Sequence, residues 1–269
     1  MKKRLIFSVD VDYFPGSETG VLRIIDMLKD RNIKGTFFIT GKFAEDYPYI
    51  LKEIVKNGHE LGCHGYSHGI DQSENFVNIN TDEQFKKIKL STDIIQKIAC
   101  CDVKVFRAPF LRANENTITV LESLGYLYDS SVSSLRFDFG LGMANNYRTL
   151  FAPTNPYHPS RKNIFKKGSS RILEVPASGF GLPLSMTGLR MFGLKTVNVV
   201  YKFSSLLFNP MVFIIHPWEV MDIDGLYMWD TIPERHRKNR GKAALTLLQD
   251  FIDSIGDVVY LRFNDVLTW

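Results

Sequence analysis

Apolar runs of strand length alternate with stretches of helical periodicity from the first residues onward, and this order constrains the fold more than any other feature. Leu5–Val9 is a strand-like run; Val21, Leu22, Ile24, Ile25 and Leu28 follow at helical spacing, and Ile33–Ile39 is a second strand. Tyr49–Val55 reads as a helix stopped by Asn57-Gly58, His59–Leu61 as a short strand, and Thr81–Ala99 as a long helix. A strand at Val103–Phe106 and a helix from about Glu115 to Leu124 come next. Between Ser131 and Asn209 the alternation lapses into Pro and Gly, with one strand at Ile172–Val175. Met211–Ile215, a helix near Ala243–Ile255 and a strand at Val258–Leu261 complete the pattern. Strands alternating with helices predict an α/β fold, a mostly parallel sheet with outer helices, either open or closed as a barrel. One domain over residues 1–269 with a loop-rich insertion at about 131–209 is the economical organisation.

Composition narrows the function classes. Hydrophobic residues make up 45% of the 269 and charged residues 23%, which supports a packed core and excludes a disordered or fibrous chain. Thirty-three Lys and Arg against 29 Asp and Glu leave +4, too little for a nucleic-acid-binding charge balance. Three Cys cannot build a disulfide framework, and Cys100 and Cys101 are adjacent, so a reducing compartment is expected. The opening apolar run ends at Asp10, short of the roughly 7–15 residues of a secretory signal. Lys202, Asn209 and Pro210 interrupt Val197–Ile215 as a membrane span. The expected location is the cytoplasm, with membrane association a further expectation.

In a parallel α/β arrangement, functional groups gather at the carboxyl ends of strands. Chain order puts Asp10 and Asp12, then Cys63-His64 with His68, then Arg107, Asp129 and His216 just after successive apolar runs. Asp10 and Asp12, one residue apart on an extended strand, point the same way, and two such carboxylates repel unless a cation or an Arg separates them. One could instead cap the following helix; the chemical reading has one bind a metal while the other stays free as a base. His64 and His68, four apart, suit one face of a helical turn and a shared ion, although HxxxH alone is a weak signal. Two His and one Asp leave a catalytic position open. Arg107 is either a surface ion pair or the group that orients the base, and His216 either a packed histidine or a general acid for a departing amine. His59 reads as structural, and Cys63 as packing on the opposite side of its strand from His64. His158 and His236 carry no assigned role.

At these residues the chain resembles the polysaccharide deacetylases, the NodB-homology group of carbohydrate esterase family 4. The likeness runs from Arg4 to about Glu219 on five ordered blocks: SVDVDYF (8–14), HGYSH (64–68), FRAPF (106–110), YDSSV (128–132) and IIHPWE (214–219). It implies a distorted (β/α) barrel. It also implies one divalent ion held by Asp12, His64 and His68, zinc first and cobalt or nickel as alternatives. Asp10 would be the base, His216 the acid, Arg107 the partner of Asp10, and Asp129 part of the charge network tuning Arg107 and His216. A backbone N–H near Asp129 or Ser130 would help hold an oxyanion. The implied reaction removes an N-acetyl group from an N-acetylated amino sugar, in a glycan, lipid-linked or nucleotide-linked precursor. A deformylase or allantoinase-like C–N hydrolase on the same site is the alternative; a catalytically inactive sugar-binding domain is the alternative from another class. The basic runs Arg161–Lys167 and Arg235–Lys242 read as solvated loop faces or as contacts to a phosphate or a membrane surface.

Overall fold

β1 (Lys3–Val11) is buried along nearly its whole length, and a strand covered on both faces needs the continuous apolar run this one has. In the computed structural model, which describes residues 2–14, 16–68, 73–136, 147–222 and 237–268, β1 is central in the main sheet. It pairs along one edge with β11 (Met211–Ile215), over Leu5–Val9. Its other edge is shared: β12 (Val258–Leu261) takes Lys3–Ile6 and β2 (Thr36–Ile39) takes Ser8–Val11. From β2 the sheet continues through β3 (Glu60–Cys63), β4 (Val105–Phe106), β5 (Tyr128–Asp129) and β8 (Leu173–Glu174), every pair parallel. A parallel bridge between Ser185 and Ile214 brings the segment after β8 back to β11, so the sheet curls into a distorted (β/α) barrel.

Alternation along β1 decides what the barrel contains. Leu5, Phe7, Val9 and Val11 pack with Val21, Ile24, Ile25 and Leu28 of α1 (Ser17–Asp30) outside the sheet. Inward, Ile6 joins Phe38, Val105, Tyr128, Val212 and Phe263 in an apolar floor. Ser8 and Asp10 follow on the same side, so polarity rises towards the carboxyl end. Outer helices α2 (Gly41–Asp46), α3 (Pro48–Lys56), α4 (Thr81–Ala99) and α5 (Glu115–Ser123) cover the first half. Asn80 caps α4 by accepting from Glu83 N at 2.9 Å, and Asn114 and Thr117 form a reciprocal capping pair on α5.

Residues 131–209 hold more regular structure than the sequence reading gives them. Two hairpins, β6 (Pro159–Ser160) with β7 (Asn163–Lys167) and β9 (Gly179–Phe180) with β10 (Leu182–Pro183), flank β8. Met186–Leu207 then forms α6, which packs beside α7 (Lys242–Ser254). Gly193, at φ +79°, interrupts α6 in a conformation that suits glycine. In the run from Arg161 the four basic residues are exposed while Ile164 is buried, and Arg161 pairs with Glu122 at 2.8 Å. His236 and the start of the run from Arg235 lie outside the described residues.

Candidate active site

Asp10, Asp12, His64, His68, Arg107 and His216 meet at the carboxyl end of the barrel. Arg107 is the keystone, fully buried and stacked 4.2 Å above the Phe38 ring of the floor. Its Nη1 donates to Asp10 Oδ1 at 2.6 Å and to Ser8 Oγ at 2.9 Å, while Nη2 and Nε donate to Ser130 Oγ and O. Asp10 is therefore a fixed carboxylate with an Arg on one side and a cavity on the other.

Asp12 faces the two histidines. Its Oδ1 lies 3.6 Å from His64 Nε2 and 3.7 Å from His68 Nε2, and no hydrogen bond reaches that buried oxygen. His64 Nδ1 lies 2.8 Å from the Arg107 carbonyl, an acceptor only, so a ring proton sits there and Nε2 faces Asp12. His68 Nε2 accepts from Phe110 N at 3.3 Å, so that nitrogen carries no proton there. Burial opposes the Asp12 charge, but the positive charge that His68, His64 and His216 carry when protonated outweighs it and holds the carboxyl well below the ordinary range; burial also pushes His68 down. Three acceptor atoms within 4.8 Å of one another, one an orphaned carboxylate oxygen, are unfavourable without a cation between them. Tetrahedral zinc with bonds near 2.0–2.1 Å sets its ligand atoms roughly 3.3 Å apart. The donor set and spacing fit a divalent ion.

A residue outside the sequence reading builds this turn. Glu74, fully buried, accepts from three consecutive backbone N–H groups, Tyr66 at 2.9 Å, Ser67 at 2.8 Å and His68 at 2.7 Å. It holds His68 at φ +44°, a left-handed conformation costly for a non-glycine residue. In sequence, nothing marks a glutamate that folds back onto amides six to eight positions earlier.

His216 follows β11 with its Nδ1 3.2 Å from Glu219 Oε2, and Glu219 is itself held by Arg190 and Thr187, each at 2.9 Å. Burial works against a charged His216, but the Glu219 contact and the charges of Asp12 and Asp10 raise it to about 9. Asp129 keeps the expected charge link to Arg107, but its direct partners lie elsewhere. It bonds Ser131 Oγ at 2.5 Å and pairs with Glu174 across β5–β8, so the carboxylate tuning His216 is Glu219, while Asp129 acts on Arg107 only through its charge. Ser130 N is already bonded to Phe106 O and is not open to an oxyanion. His59 accepts from Gly35 N at 3.1 Å, and Cys63 is buried in the outer core with its thiol pushed up to about 11 by burial. His158 Nδ1 bonds the Ile172 carbonyl.

A cavity of about 260 Å³ opens on these groups, below the roughly 300–1,000 Å³ usual for drug-sized ligands. Asp10, His64, His68 and His216 line it with Phe110, Leu111, Pro183, Leu184 and Ile214 as apolar wall, and Ser178, Ser185, Thr187 and Arg136 as polar points. A base, an acid and a cation cradle around one small cavity can cleave an acyl bond by adding water.

Residues 2–128 match the family model described as Polysaccharide deacetylase. The chain is 36% identical over 96 residues to a peptidoglycan-N-acetylglucosamine deacetylase of Bacillus cereus, covering 36% of this chain and 33% of that protein. It is 28% identical over 115 residues to a peptidoglycan deacetylase of Helicobacter pylori, covering 43% and 38%. The matched stretches thus span well under half of these relatives' length. The fold resembles that of a presumed polysaccharide deacetylase from Mycobacterium smegmatis, with TM-score 0.65, 20% identity, and 99% and 89% of the two chains covered. A pseudoenzyme of family CE4 from Bacillus anthracis is also similar, with TM-score 0.57, 13% identity, and 99% and 66% covered. The fold is therefore shared with a relative described as inactive, and any argument for activity rests on the site.

Proposed function

We propose that this chain, which belongs to the polysaccharide deacetylase family, is a metal-dependent hydrolase that removes the N-acetyl group from an N-acetylated amino sugar in a glycan, lipid-linked or nucleotide-linked precursor. The observation that carries the reading is the division of labour around the cavity. Asp10 is fixed by Arg107, His216 is held protonated by Glu219, and the acceptor atoms of Asp12, His64 and His68 converge beside them.

Asp12, His64 and His68 would hold the ion, which when bound polarises the acyl carbonyl and lowers the pKa of water. Asp10 accepts a proton from the attacking water while Arg107 keeps its carboxylate in place. His216 donates its proton to the amide nitrogen, the C–N bond breaks, and acetate and the free amine leave. Apolar residues at the mouth exclude competing water and surround the acyl methyl.

Acetate release from N-acetylglucosamine oligomers, nucleotide sugars and lipid-linked sugars, with zinc added, tests the proposal. Asp10→Asn is expected to lower turnover by roughly 10²–10⁴-fold while the protein still binds the ion. Release of formate or ammonia instead would move the chain to another C–N substrate, and no product from any of them would overturn the reading.

A further inference from the structure

Among the described helices α1 to α7, only α6 contains no Asp or Glu. Its charges are Arg190, buried against Glu219, and the exposed Lys195 and Lys202. Beyond the break at Gly193, Val197, Val200, Tyr201 and Ser204 turn inward and are buried. The opposite face carries Lys195, Val199, Lys202, Phe203 and Leu206, at i, i+4, i+7, i+8 and i+11. A helix on the surface of a soluble domain ordinarily turns polar residues outward. Here Leu206 is 80% exposed, Val199 52% and Phe203 46%, and Phe180 of β9 stacks on Phe203 with centroids 4.9 Å apart. Scattered exposed apolar side chains need no explanation, but a continuous stripe does.

The charges on the stripe select its occupant. Two copies of this chain meeting through α6 would set lysines against lysines with no acidic residue on either helix, a like-charge contact at an isologous interface. An anionic lipid surface fits both components: Phe, Val and Leu enter the headgroup boundary, and the lysine stems extend along them to place ammonium groups at the phosphates. The same helix begins at the cavity, whose wall includes Ser185 and Thr187. We propose that the outward face of α6 docks this protein peripherally on anionic membranes. The proposal is independent of the reaction at the site.

Vesicle flotation decides it, comparing neutral phosphatidylcholine with phosphatidylcholine containing about a quarter phosphatidylglycerol, at low and high salt. Expected is binding to the anionic vesicles that weakens as salt is raised. Lys195→Gln/Lys202→Gln should weaken binding roughly 30-fold. Phe203→Ser/Leu206→Ser should weaken it at least about tenfold, with circular dichroism and thermal midpoint preserved. No binding to anionic vesicles at low salt, or binding that neither pair of substitutions changes, would overturn the proposal. So would a dimer that Phe203→Ser/Leu206→Ser disperses, because it would give the face to a second copy.

Discussion

Asp10 and Asp12 stand two positions apart and differ in what they touch: one carries a guanidinium 2.6 Å away, the other an orphaned oxygen between two imidazoles. The same division separates the two glutamates that support the site. Glu219 supplies the charge that keeps a proton on half-buried His216, against the desolvation that disfavours it. Glu219→Gln is therefore expected to move the alkaline limb of the kcat–pH profile to lower pH, with a smaller loss near pH 6. An unmoved limb would exclude Glu219 from that task. Glu74 acts through geometry. Glu74→Ala leaves three half-buried amide N–H groups without their acceptor and releases His68, so zinc affinity should fall about 10–100-fold, as when an outer-sphere partner is lost. Glu74→Gln, which keeps one carbonyl acceptor, should lie between. Equilibrium titration with zinc against a competing chelator measures both.

At the scale of elements, close approach of α1 to the turn after β11 positions His216. A Cβ on Gly20 would sit 2.3 Å from the Pro217 carbonyl oxygen, so a side chain there must push the helix or the turn. Gly20→Ala is expected to cost about 1–3 kcal/mol of stability and to lower turnover more than it changes zinc affinity, because the ion cradle lies on other strands. Denaturation midpoints and metal titrations separate the effects. Much of this framework is legible in the sequence. The helix from about Thr81 to Ala99 and the strand Val258–Leu261 are where they are expected, and chain order alone brings Asp10, Asp12, His64, His68, Arg107 and His216 to one end of the sheet. α2 is missed because six residues give too little periodicity. α6 is missed because glycines at 188 and 193 interrupt it and its outer face is apolar, leaving no polar stripe to mark a helix. The partner of Asp129 is hidden for another reason: Glu174 reaches it only through pairing of β5 with β8, 45 positions apart in the chain.

For the molecule as a whole, the cost of burying ionisable groups predicts how stability changes with pH. Burial raises Glu60 to about 7 and Asp129 to about 6, and raises Glu174 well above its usual value. Each of these acids contributes stability that is fully present below its unfolded value and is lost as pH rises through the folded one. His216, raised to about 9, behaves the same way, keeping its contribution below about 6.5 and losing it towards 9. His59, lowered to about 4 by burial, and His68, lowered by burial, have the opposite sign, adding stability as pH rises to about 6.5 and nothing beyond. Below 6.5 the two sets oppose one another; above it only the losing set remains. The metal-free protein should therefore be more stable at pH 6.5 than at pH 9, in chelator-containing denaturant titrations at constant ionic strength. His216→Asn should flatten the part of the decline between pH 7 and 9, and Glu60→Gln the part below 7. A metal-free protein whose stability is level or rising over pH 6.5–9 would show that the buried acids and His216 are not held as the fold places them.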